Sequence, residues 1–423
     1  MPEVQNQKPR LWVVTELYYP EETSTGYYLT RIAEGLTDVF SVRVICGQPN
    51  YSARGTKAPA REIHREVEIY RVAGTTLDKN KIPFRLINML SLSVSTFFRA
   101  LLNFQKNDAV LVVTTPPLLP FIAALAAKIR RAEYTLLIHD NYPEILIAAG
   151  KTTAESPFSK IMNRANRLLY RHAEKIVVVG RDMRELIEFK IADSNKKPNT
   201  PVVFISNWAE LEQVSPEPRR ANRLLEELNI EEKLVFLYAG NMGYPNDLES
   251  IVRCAEKLRG DERFHFIFLG AGVKRRWLER EISEKRLKNV SLLDPRPRGE
   301  QKTFLNACDV ALVSLIKKMR GVSMPSRTYN ILAAGKPILA LTEENSELDL
   351  LVREERVGWR VPPNAPETLL KEIYRIYDER AELEEMGRRA RTAAVEKYSL
   401  QTAVAAYKKE LSKKNPQTAT RGL

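Results

Sequence analysis

The feature that most constrains this chain is a series of short apolar runs, rich in β-branched residues, separated by helix-length segments. The runs are continuous instead of alternating, so each predicted strand must be covered on both faces. This pattern is typical of parallel sheets that lie between helices in α/β proteins. The predicted strands of the first half are residues 11–17, 42–47, 67–72, 109–115, 135–140, 176–180 and 202–207.

The second half of the chain repeats the pattern. Its predicted strands are residues 234–240, 265–270, 290–294, 309–315 and 337–342. The length of 423 residues exceeds the roughly 250 to 300 residues at which one hydrophobic core stops growing. The fold class is therefore predicted as α/β, with two doubly wound, Rossmann-like domains that face each other across a cleft.

The domain boundaries are predicted from a change in composition. The polar, proline-containing stretch 210–218 is the hinge candidate between a first domain at 1–207 and a second domain at 208–392. Residues 393–423 are predicted to form a C-terminal helix that packs back on the first domain, followed by a short tail. Each domain is expected to bind ligands in the loops at the carboxyl ends of its strands.

Composition excludes several classes of protein. An apolar content of 44% with 28% charged residues indicates a globular chain without extensive disorder. The three widely spaced cysteines predict reduced core thiols and a cytoplasmic protein. The four histidines have no close histidine or cysteine partner, so neither a protein-bound metal nor another cofactor is expected. No signal peptide or membrane-spanning segment is predicted.

The net charge of +13 is concentrated in part of the first half. Residues 52–131 hold 13 basic and 5 acidic residues, and they include the apolar, arginine-punctuated segment 82–104. Together with Lys408, Lys409, Lys413 and Lys414, this segment predicts peripheral binding to the anionic cytoplasmic face of the inner membrane. A nucleic-acid-binding protein is the alternative, but no recognised motif supports a nucleic-acid partner.

Two loops at strand ends of the first domain hold candidate residues. Gly26 follows the first strand and could bring backbone N–H groups close to a phosphate or sugar oxygen, or could only shape a turn. The strand at 135–140 is followed by Tyr142 and Glu144 and ends in His139 and Asp140, which could orient or deprotonate a hydroxyl. The alternative is that Asp140 caps a helix and that His139 is packed in the core.

Small residues mark the corresponding loops of the second domain. Gly240 and Asn241 lie at its first strand-to-helix turn, and Gly270 and Gly272 repeat the arrangement after the next strand. Such turns let backbone donors approach an anion. The two turns together, in consecutive units of one domain, predict a phosphate-binding edge.

The most informative stretch is residues 321–337, which follows a predicted strand and includes a helix predicted to begin at 325 or 326 and to end at Gly335. Ser326 and Arg327 at the helix start would offer a hydroxyl donor and a planar guanidinium to a phosphate. The alternative is a capped surface helix with a solvated arginine.

On these segments the chain resembles the retaining glycosyltransferases of family 4, which have the GT-B fold. The resemblance covers nearly the whole chain and is closest to a bacterial branch that builds surface polysaccharides, the fucosamine- and colanic-acid-type transferases. It implies a nucleoside-diphosphate sugar as donor, with UDP expected as the nucleotide, and a lipid-diphosphate or saccharide acceptor. The segments that carry it are the Gly26 loop and residues 140–144, 205–208, 240–243, 270–272 and 325–337.

The resemblance also implies roles for single residues. The second domain would hold the donor, with the diphosphate against Arg327 and the ribose facing Asn330. The other donor residues implied are Gly240, Asn241, Gly270, Gly272, Ser326 and Tyr329. The first domain would hold the acceptor through Gly26, Tyr142 and Glu144, while His139 or Asp140 orients its hydroxyl for front-face attack. A nucleotide-sugar epimerase or hydrolase of the same fold is the alternative enzyme.

The chain departs from the family pattern at two places. Many members have two glutamates eight positions apart where this chain has Val322 and Asn330, and an arginine and a lysine where it has 244–246. Arg327 is therefore the expected diphosphate cation. Further candidates for that role are Arg296, Arg298, Lys318 and Arg320.

Overall fold

Two β-sheets, each covered by helices, form the molecule. The structure is a computed structural model that describes residues 8–50, 57–77, 82–192 and 200–413. The strands of the first sheet are β1 (Arg10–Val14), β2 (Ser41–Cys46), β3 (Arg61–His64), β4 (Val67–Arg71), β5 (Ala109–Val113), β6 (Glu133–Ile138), β7 (Lys175–Val178) and β8 (Val202–Phe204). The helices of this half are α1 (Ser24–Gly35), α2 (Ile82–Asn103), α3 (Leu119–Arg130), α4 (Glu144–Ala148), α5 (Pro157–His172) and α6 (Arg181–Ile191).

The second sheet belongs to the other half of the chain. Its strands are β9 (Leu234–Ala239), β10 (Phe264–Leu269), β11 (Val290–Leu293), β12 (Val310–Ser314), β13 (Ile338–Leu341) and β14 (Gly358–Val361). The helices are α7 (Arg223–Leu228), α8 (Leu248–Lys257), α9 (Arg275–Glu284), α10 (Gln301–Asn306), α11 (Arg327–Ala333), α12 (Glu347–Glu355), α13 (Pro366–Asp378), α14 (Leu383–Glu396) and α15 (Leu400–Ser412).

Both sheets have the doubly wound strand order that the sequence predicts. The first sheet runs β3-β4-β2-β1-β5-β6-β7-β8, and the second runs β11-β10-β9-β12-β13-β14. All pairs are parallel except that β3 lies antiparallel to β4. The order reverses beside β1 and β9, so each sheet has a switch point where ligands of such folds bind. The prediction of two doubly wound α/β domains is confirmed.

The two strands that the sequence pattern does not predict are both at sheet edges. β3 exposes Arg61 and Ile63 in alternation with the partly buried Glu62 and His64, and β14 also alternates buried and partly exposed positions. A continuous apolar run marks a strand that is covered on both sides. The edge strands β8 and β11 are apolar enough to show such a run, whereas the charged residues of β3 and the glycine and arginine of β14 interrupt it. The pattern that finds central strands therefore passes over these two.

Helices of the first domain lie on opposite faces of its sheet. The connection from β1 to β2 runs in one direction along the sheet, whereas the connections from β4 through β8 run in the other. Because such crossovers are right-handed, α1 covers one face and α2, α3, α5 and α6 cover the opposite face.

The last helix returns to the first domain and packs beside α1. A Cβ atom on Gly35 of α1 would lie 2.6 Å from a methyl group of Val404, so the two helices are in close contact. Tyr407 is buried, and Lys408 pairs with Asp38 at 2.5 Å. The chain end that was predicted as a tail includes residues 414–423, which lie outside the described part.

The chain crosses between the domains twice, and the two crossings run side by side. Ala209 on the outward crossing forms a parallel bridge with Ser399 on the return. Trp208 is buried at this point and packs edge-on against Tyr28 of α1, with ring centroids 4.6 Å apart. The three cysteines are buried and unpaired within the two cores.

Candidate functional site

A cleft between the two domains forms a cavity of about 640 Å³. The second domain contributes the loops after β9, β10 and β11 and the start of α11. The first domain contributes the segment before and within the first turn of α1. The polar and charged side chains that line the cleft include Glu22, Ser24, Asn241, Arg296, Arg298, Gln301, Ser326, Arg327 and Asn330.

Three predicted glycines form the floor of this cleft with their backbone. Gly240, Gly270 and Gly272 have φ angles of 143°, 144° and 146°, which side-chain-bearing residues rarely adopt. A Cβ atom on Gly270 would collide with the carbonyl oxygen of Gly240, so the two loops lie in direct contact. The backbone of Gly240 also lies against Arg327, because a Cβ there would be 2.6 Å from Nη1 of the guanidinium.

Arg327 presents a cation to the cleft without a carboxylate partner among the described residues. Its guanidinium lies 4.4 Å above the ring of Tyr238 and donates from Nη2 to Oδ1 of Asn246 at 3.1 Å. Its Nε is buried and has no hydrogen-bond partner within the described ranges. Because the guanidinium lines the cleft and its charge is not neutralised by a carboxylate of the described residues, the site favours an anionic ligand.

Ser326 lies beside Arg327 and meets the first domain across the cleft. Its hydroxyl is 2.8 Å from the hydroxyl of Ser24, near the start of α1. The helix that follows, α11, has seven residues after the N-cap residue Ser326, and it is ended as predicted by Gly335, which has a φ of 64° and donates its N–H to the Leu332 carbonyl. Because α11 is short, the Arg327 guanidinium supplies the charge of this part of the cleft, and the hydroxyls of Ser24 and Ser326 add neutral hydrogen-bonding groups.

Asn330 belongs to a hydrogen-bonded network at the cleft wall. Its amide donates to Oε1 of Glu210 at 2.9 Å and to Oε1 of Gln301 at 2.6 Å. Its own Oδ1 accepts from the backbone N–H of Glu210 at 2.9 Å. Arg298 pairs with the Glu210 carboxylate and lies 3.7 Å above the ring of Tyr27.

Tyr329, expected among the donor residues, does not line the cleft. Its side chain is buried in the core, with its ring 5.3 Å from that of Tyr398. Burial raises the pKa of its phenol above the ordinary value. Tyr329 follows Arg327 by two positions on α11, so it points to another side of the helix.

His139 and Asp140 lie where the two domains touch, outside the residues that line the cleft. Asp140 forms an antiparallel bridge with Ser323, and the next residue, Asn141, donates from Nδ2 to the Gly321 carbonyl at 2.6 Å. Burial raises the pKa of Asp140. Burial lowers the pKa of His139 to about 4, and its Nε2 has no hydrogen-bond partner in the described part of the chain.

The other acceptor candidates of the first domain have structural partners. Glu144 pairs with Lys190 at 2.6 Å, and the carbonyl of Tyr142 accepts from Asn166 at 2.7 Å. Gly26 lies in the first turn of α1, where a Cβ atom would be 2.8 Å from the Glu21 carbonyl oxygen. Of these three residues, Gly26 is in the segment that reaches the donor cleft.

Val322 and Tyr244, two of the positions that depart from the family pattern, contact the first domain. Val322 joins a small apolar cluster with Met319 that packs against Ile145 of α4. The ring of Tyr244 lies 4.0 Å below Nζ of Lys151. Both positions therefore serve contacts between the domains in this structure.

The further cation candidates divide between the cleft and its surroundings. Arg296 and Arg298 line the cleft, and each pairs with a carboxylate. Arg320 pairs with Glu185 of the first domain at 2.8 Å, and Lys318 is exposed outside the cleft. No group of three potential metal ligands occurs among the residues that the structure describes.

Sequence reasoning missed Glu210, Gln301 and Asn246. Glu210 lies in a polar linker that was recognised only as a hinge, and Gln301 follows a short turn with no motif. Nothing local in the sequence marks either residue. Asn246 follows the glycine loop by a few positions, so its place in a strand-end loop was the one available signal.

Comparison with known proteins matches each half of the chain to a family. Residues 222–393 match the family described as Glycosyl transferases group 1. Residues 24–208 match the Glycosyl transferase 4-like domain.

Relatives and solved structures match over most of the chain. "Probable glycosyltransferase WbjE" of Pseudomonas aeruginosa is 30% identical over 404 residues, covering 92% of this chain and 94% of the relative. "Putative colanic acid biosynthesis glycosyl transferase WcaI" of Escherichia coli K12 is 26% identical, covering 79% and 83%. The structure of Anabaena Alr3699/HepE in complex with UDP superposes with a TM-score of 0.70 at 13% identity, covering 95% of this chain and 99% of that one.

Proposed function

Because the chain belongs to the glycosyl transferases group 1 family and has the GT-B fold, we propose that it moves a hexosyl group from a UDP-sugar to an acceptor in cell-surface polysaccharide synthesis. The acceptor in this proposal is lipid-linked or a saccharide, and the reaction retains the anomeric configuration. The name of one relative, which refers to colanic acid biosynthesis, and the UDP bound to a structural neighbour support it.

The observation that carries the proposal is the guanidinium of Arg327, which has no carboxylate partner among the described residues and lines the cleft beside the backbone of Gly240. Departure of the nucleotide places negative charge on a diphosphate, and a positioned cation with hydroxyl and N–H donors stabilises that charge. Ser326, next to Arg327, supplies a hydroxyl from the second domain. The first domain faces this point through Ser24, 2.8 Å from Ser326, so the cleft is closed from both sides there.

The acceptor hydroxyl in this proposal is oriented by His139 or Asp140. Both residues follow β6 at the edge of the first sheet that faces the second domain, and neither belongs to the donor cleft. With its pKa lowered to about 4, His139 is neutral near pH 7, so it can accept a hydrogen bond from a hydroxyl there but binds a proton poorly. The diphosphate itself accepts the acceptor proton in front-face attack.

Two substitutions test the donor and acceptor roles separately. Arg327→Ala is expected to weaken UDP binding by about 10- to 100-fold, since charge-assisted bonds are worth about 1.5 to 3 kcal/mol. Asp140→Asn is expected to leave UDP binding unchanged while lowering transfer by about 10² to 10³. Calorimetry with UDP measures the first effect, and transfer from a panel of nucleotide-sugars measures the second.

The control for Arg327→Ala is Arg253→Ala, which removes an exposed arginine of α8 outside the cleft. Unchanged UDP affinity in folded Arg327→Ala would contradict the donor assignment. Loss of UDP binding in Asp140→Asn would contradict the acceptor assignment.

We further propose that the enzyme works as a peripheral protein on the cytoplasmic face of the membrane. Large apolar side chains of α2 point to solvent at intervals of about one turn, with Phe98 59% and Leu102 78% exposed. The others on α2 are Leu86, Ile87, Leu90 and Val94. By length and composition, residues Pro83–Asn103 could also cross a membrane, but the opposite face, with Leu92 and Ala100, is buried in the first domain.

Neighbouring helices on the same face of the sheet extend this surface. Leu125 and Ile129 of α3, Ile161 and Leu168 of α5 and Phe189 of α6 are also exposed. The helices α2, α3 and α5 contain no acidic residue, so their apolar surface has a basic surround, whereas α6 also exposes Glu185 and Glu188. That combination fits an anionic bilayer.

The structure separates this surface from the lysines of the last helix. Because α15 packs beside α1, it lies on the opposite face of the first sheet from α2. Lys408 is paired with Asp38, and Arg71 within the basic segment is buried against Glu62. The proposal therefore rests on α2, α3 and α5, and the lysines of α15 do not contribute to it.

Vesicle sedimentation tests the membrane proposal. The combined variant Leu90→Gln, Val94→Gln, Phe98→Gln should bind phosphatidylglycerol vesicles at least about 10-fold more weakly, because it removes apolar area from the interface. Val273→Gln, an exposed valine of the second domain, is the matched control. A wild-type protein that stays in the supernatant with these vesicles at low salt would contradict the proposal.

A further inference from the structure

The carboxylate of Glu210 is buried beside the donor cleft although the residue belongs to the linker between the domains. The side chain is 2% exposed. Nε of Arg298 donates to its Oε2 at 2.9 Å, and a second guanidinium nitrogen of the same arginine donates to Oε1. Nδ2 of Asn330 donates to Oε1 at 2.9 Å. A buried charge with this many partners fixes the positions of the groups around it.

Glu210 determines the orientation of the Asn330 amide. The backbone N–H of Glu210 needs an acceptor, and of the two amide atoms of Asn330 only Oδ1 can accept. Nδ2 must therefore point to the Glu210 carboxylate and to Gln301. Both amide protons of Asn330 are then used. Gln301 accepts one of them with Oε1, so its own amide nitrogen is left to donate. Asn330 and Gln301 both line the cleft, whereas Glu210 acts from behind them.

Glu210 also neutralises Arg298, which lines the cleft, but does not pair with Arg327. Arg298 is paired with Glu210 and contacts the first domain through the ring of Tyr27, 3.7 Å away. Arg327 has no carboxylate partner among the described residues. The linker carboxylate therefore restricts the free positive charge to the end of the cleft near Arg327.

The spacing along α11 indicates which part of a nucleotide meets the amide pair. Asn330 follows Arg327 by three residues, which is about 4.5 Å along a helix and on the same side of it. A nucleoside diphosphate that places its diphosphate at Arg327 brings its ribose about one helical turn away. Ribose offers two adjacent hydroxyls, which need both donors and acceptors, and an amide pair supplies both.

We propose that Glu210 is a positioning residue for the nucleoside end of the donor site, where it holds Asn330 and Gln301 in the orientation that recognises the ribose hydroxyls. This inference rests on the proposed function, because it assumes that a nucleotide occupies the cleft.

The experiment compares the binding of UDP, 2′-deoxy-UDP and 3′-deoxy-UDP by calorimetry. Wild-type protein is expected to prefer UDP over at least one deoxy analogue by about 10-fold, since a site built to bond a hydroxyl rejects a ligand without it. Glu210→Gln keeps the shape of the side chain but removes its charge. It should bring the ratio of the affinities for UDP and the deoxy analogue close to one. A protein in which Glu210 only supports the fold would lose affinity for all three ligands equally.

Two further variants keep the test decisive. Glu212→Gln removes an exposed charge two residues along the same linker and should leave the ratio unchanged. Gln301→Ala removes a cleft-lining partner of Asn330 without uncovering a buried charge, and it should also abolish the preference for UDP over the deoxy analogue. This variant provides a test even if Glu210→Gln does not fold.

Three results would overturn the inference. Wild-type protein that binds UDP and both analogues equally would overturn it while leaving the proposed function intact. A preference that persists in folded Glu210→Gln, or in Gln301→Ala, would do the same. Absence of any UDP binding by the wild type would overturn the proposed function together with this inference.

Discussion

Two histidines of this protein are held in their neutral form by their surroundings. Burial lowers the pKa of His139 to about 4, and burial with the nearby Lys233 lowers that of His265 to about 4 as well. The ordinary value is 6.5, so between pH 6.5 and 4 the unfolded chain binds protons that the folded chain does not. The free energy of unfolding must therefore decrease as the pH falls through this range.

At pH 5 the free energy of unfolding is expected to be lower by about 2 kcal/mol for each histidine, and this decrease is absent above about pH 7. Thermal unfolding followed from pH 7.5 to 5 measures it. The unfolding midpoint of His139→Gln should decrease less than that of wild type over this pH range. The midpoint of His172→Gln, at an exposed position, should decrease as much as that of wild type. Equal decreases in all three proteins would mean that His139 is not held neutral in the fold.

At the scale of single elements, the loops after β9 and β10 pack so closely at Gly240 and Gly270 that an added side-chain atom would collide. Gly270→Ala would place a methyl group against the Gly240 carbonyl at a backbone φ of 144°. Strain of this kind costs about 1 to 3 kcal/mol, and the collision requires the loop to move. We expect Gly270→Ala to lower stability by at least that amount and to weaken UDP binding.

The matched control for this substitution is Gly260→Ala. An added Cβ at Gly260 meets nothing within 4 Å, so the variant should match wild type in unfolding midpoint and in UDP affinity. If Gly270→Ala behaves like Gly260→Ala in both measurements, the close approach of the two loops does not shape the cleft.

Strands covered on both faces were predictable because their sequences are continuously apolar, and their carboxyl ends then located the cleft. Gly240, Gly270 and Arg327 follow such strands, so the sequence was sufficient to bring them together. β3 and β14 were missed because polar and charged residues interrupt their apolar sequences, a cost that only edge strands can bear. The burial of Tyr329 and the pairing of Glu210 with Asn330 depend on packing between distant segments, which no local pattern records.

For the whole molecule, the return of α15 to the first domain couples the two ends of the chain. Tyr407 is 1% exposed and belongs to the core around α1. Tyr407→Ala should therefore lower stability by about 3 to 5 kcal/mol, as is usual when a buried aromatic side chain is removed. Denaturant unfolding measures this loss.

The comparison for this prediction is Tyr374→Ala in α13, where the tyrosine is 38% exposed and less apolar contact is lost. Its effect should be clearly smaller. A Tyr407→Ala variant as stable as wild type would show that α15 contributes little to the first domain.

This return of the last helix has a consequence for how the protein is made. The first domain cannot complete its core when residue 208 leaves the ribosome, because the segment that covers α1 is α15, at Leu400–Ser412. At about 5 to 20 residues per second, the intervening stretch takes about 10 to 40 seconds to synthesise. During that interval the apolar side of α1 stays open, so the domain that is translated first is the one that finishes folding last.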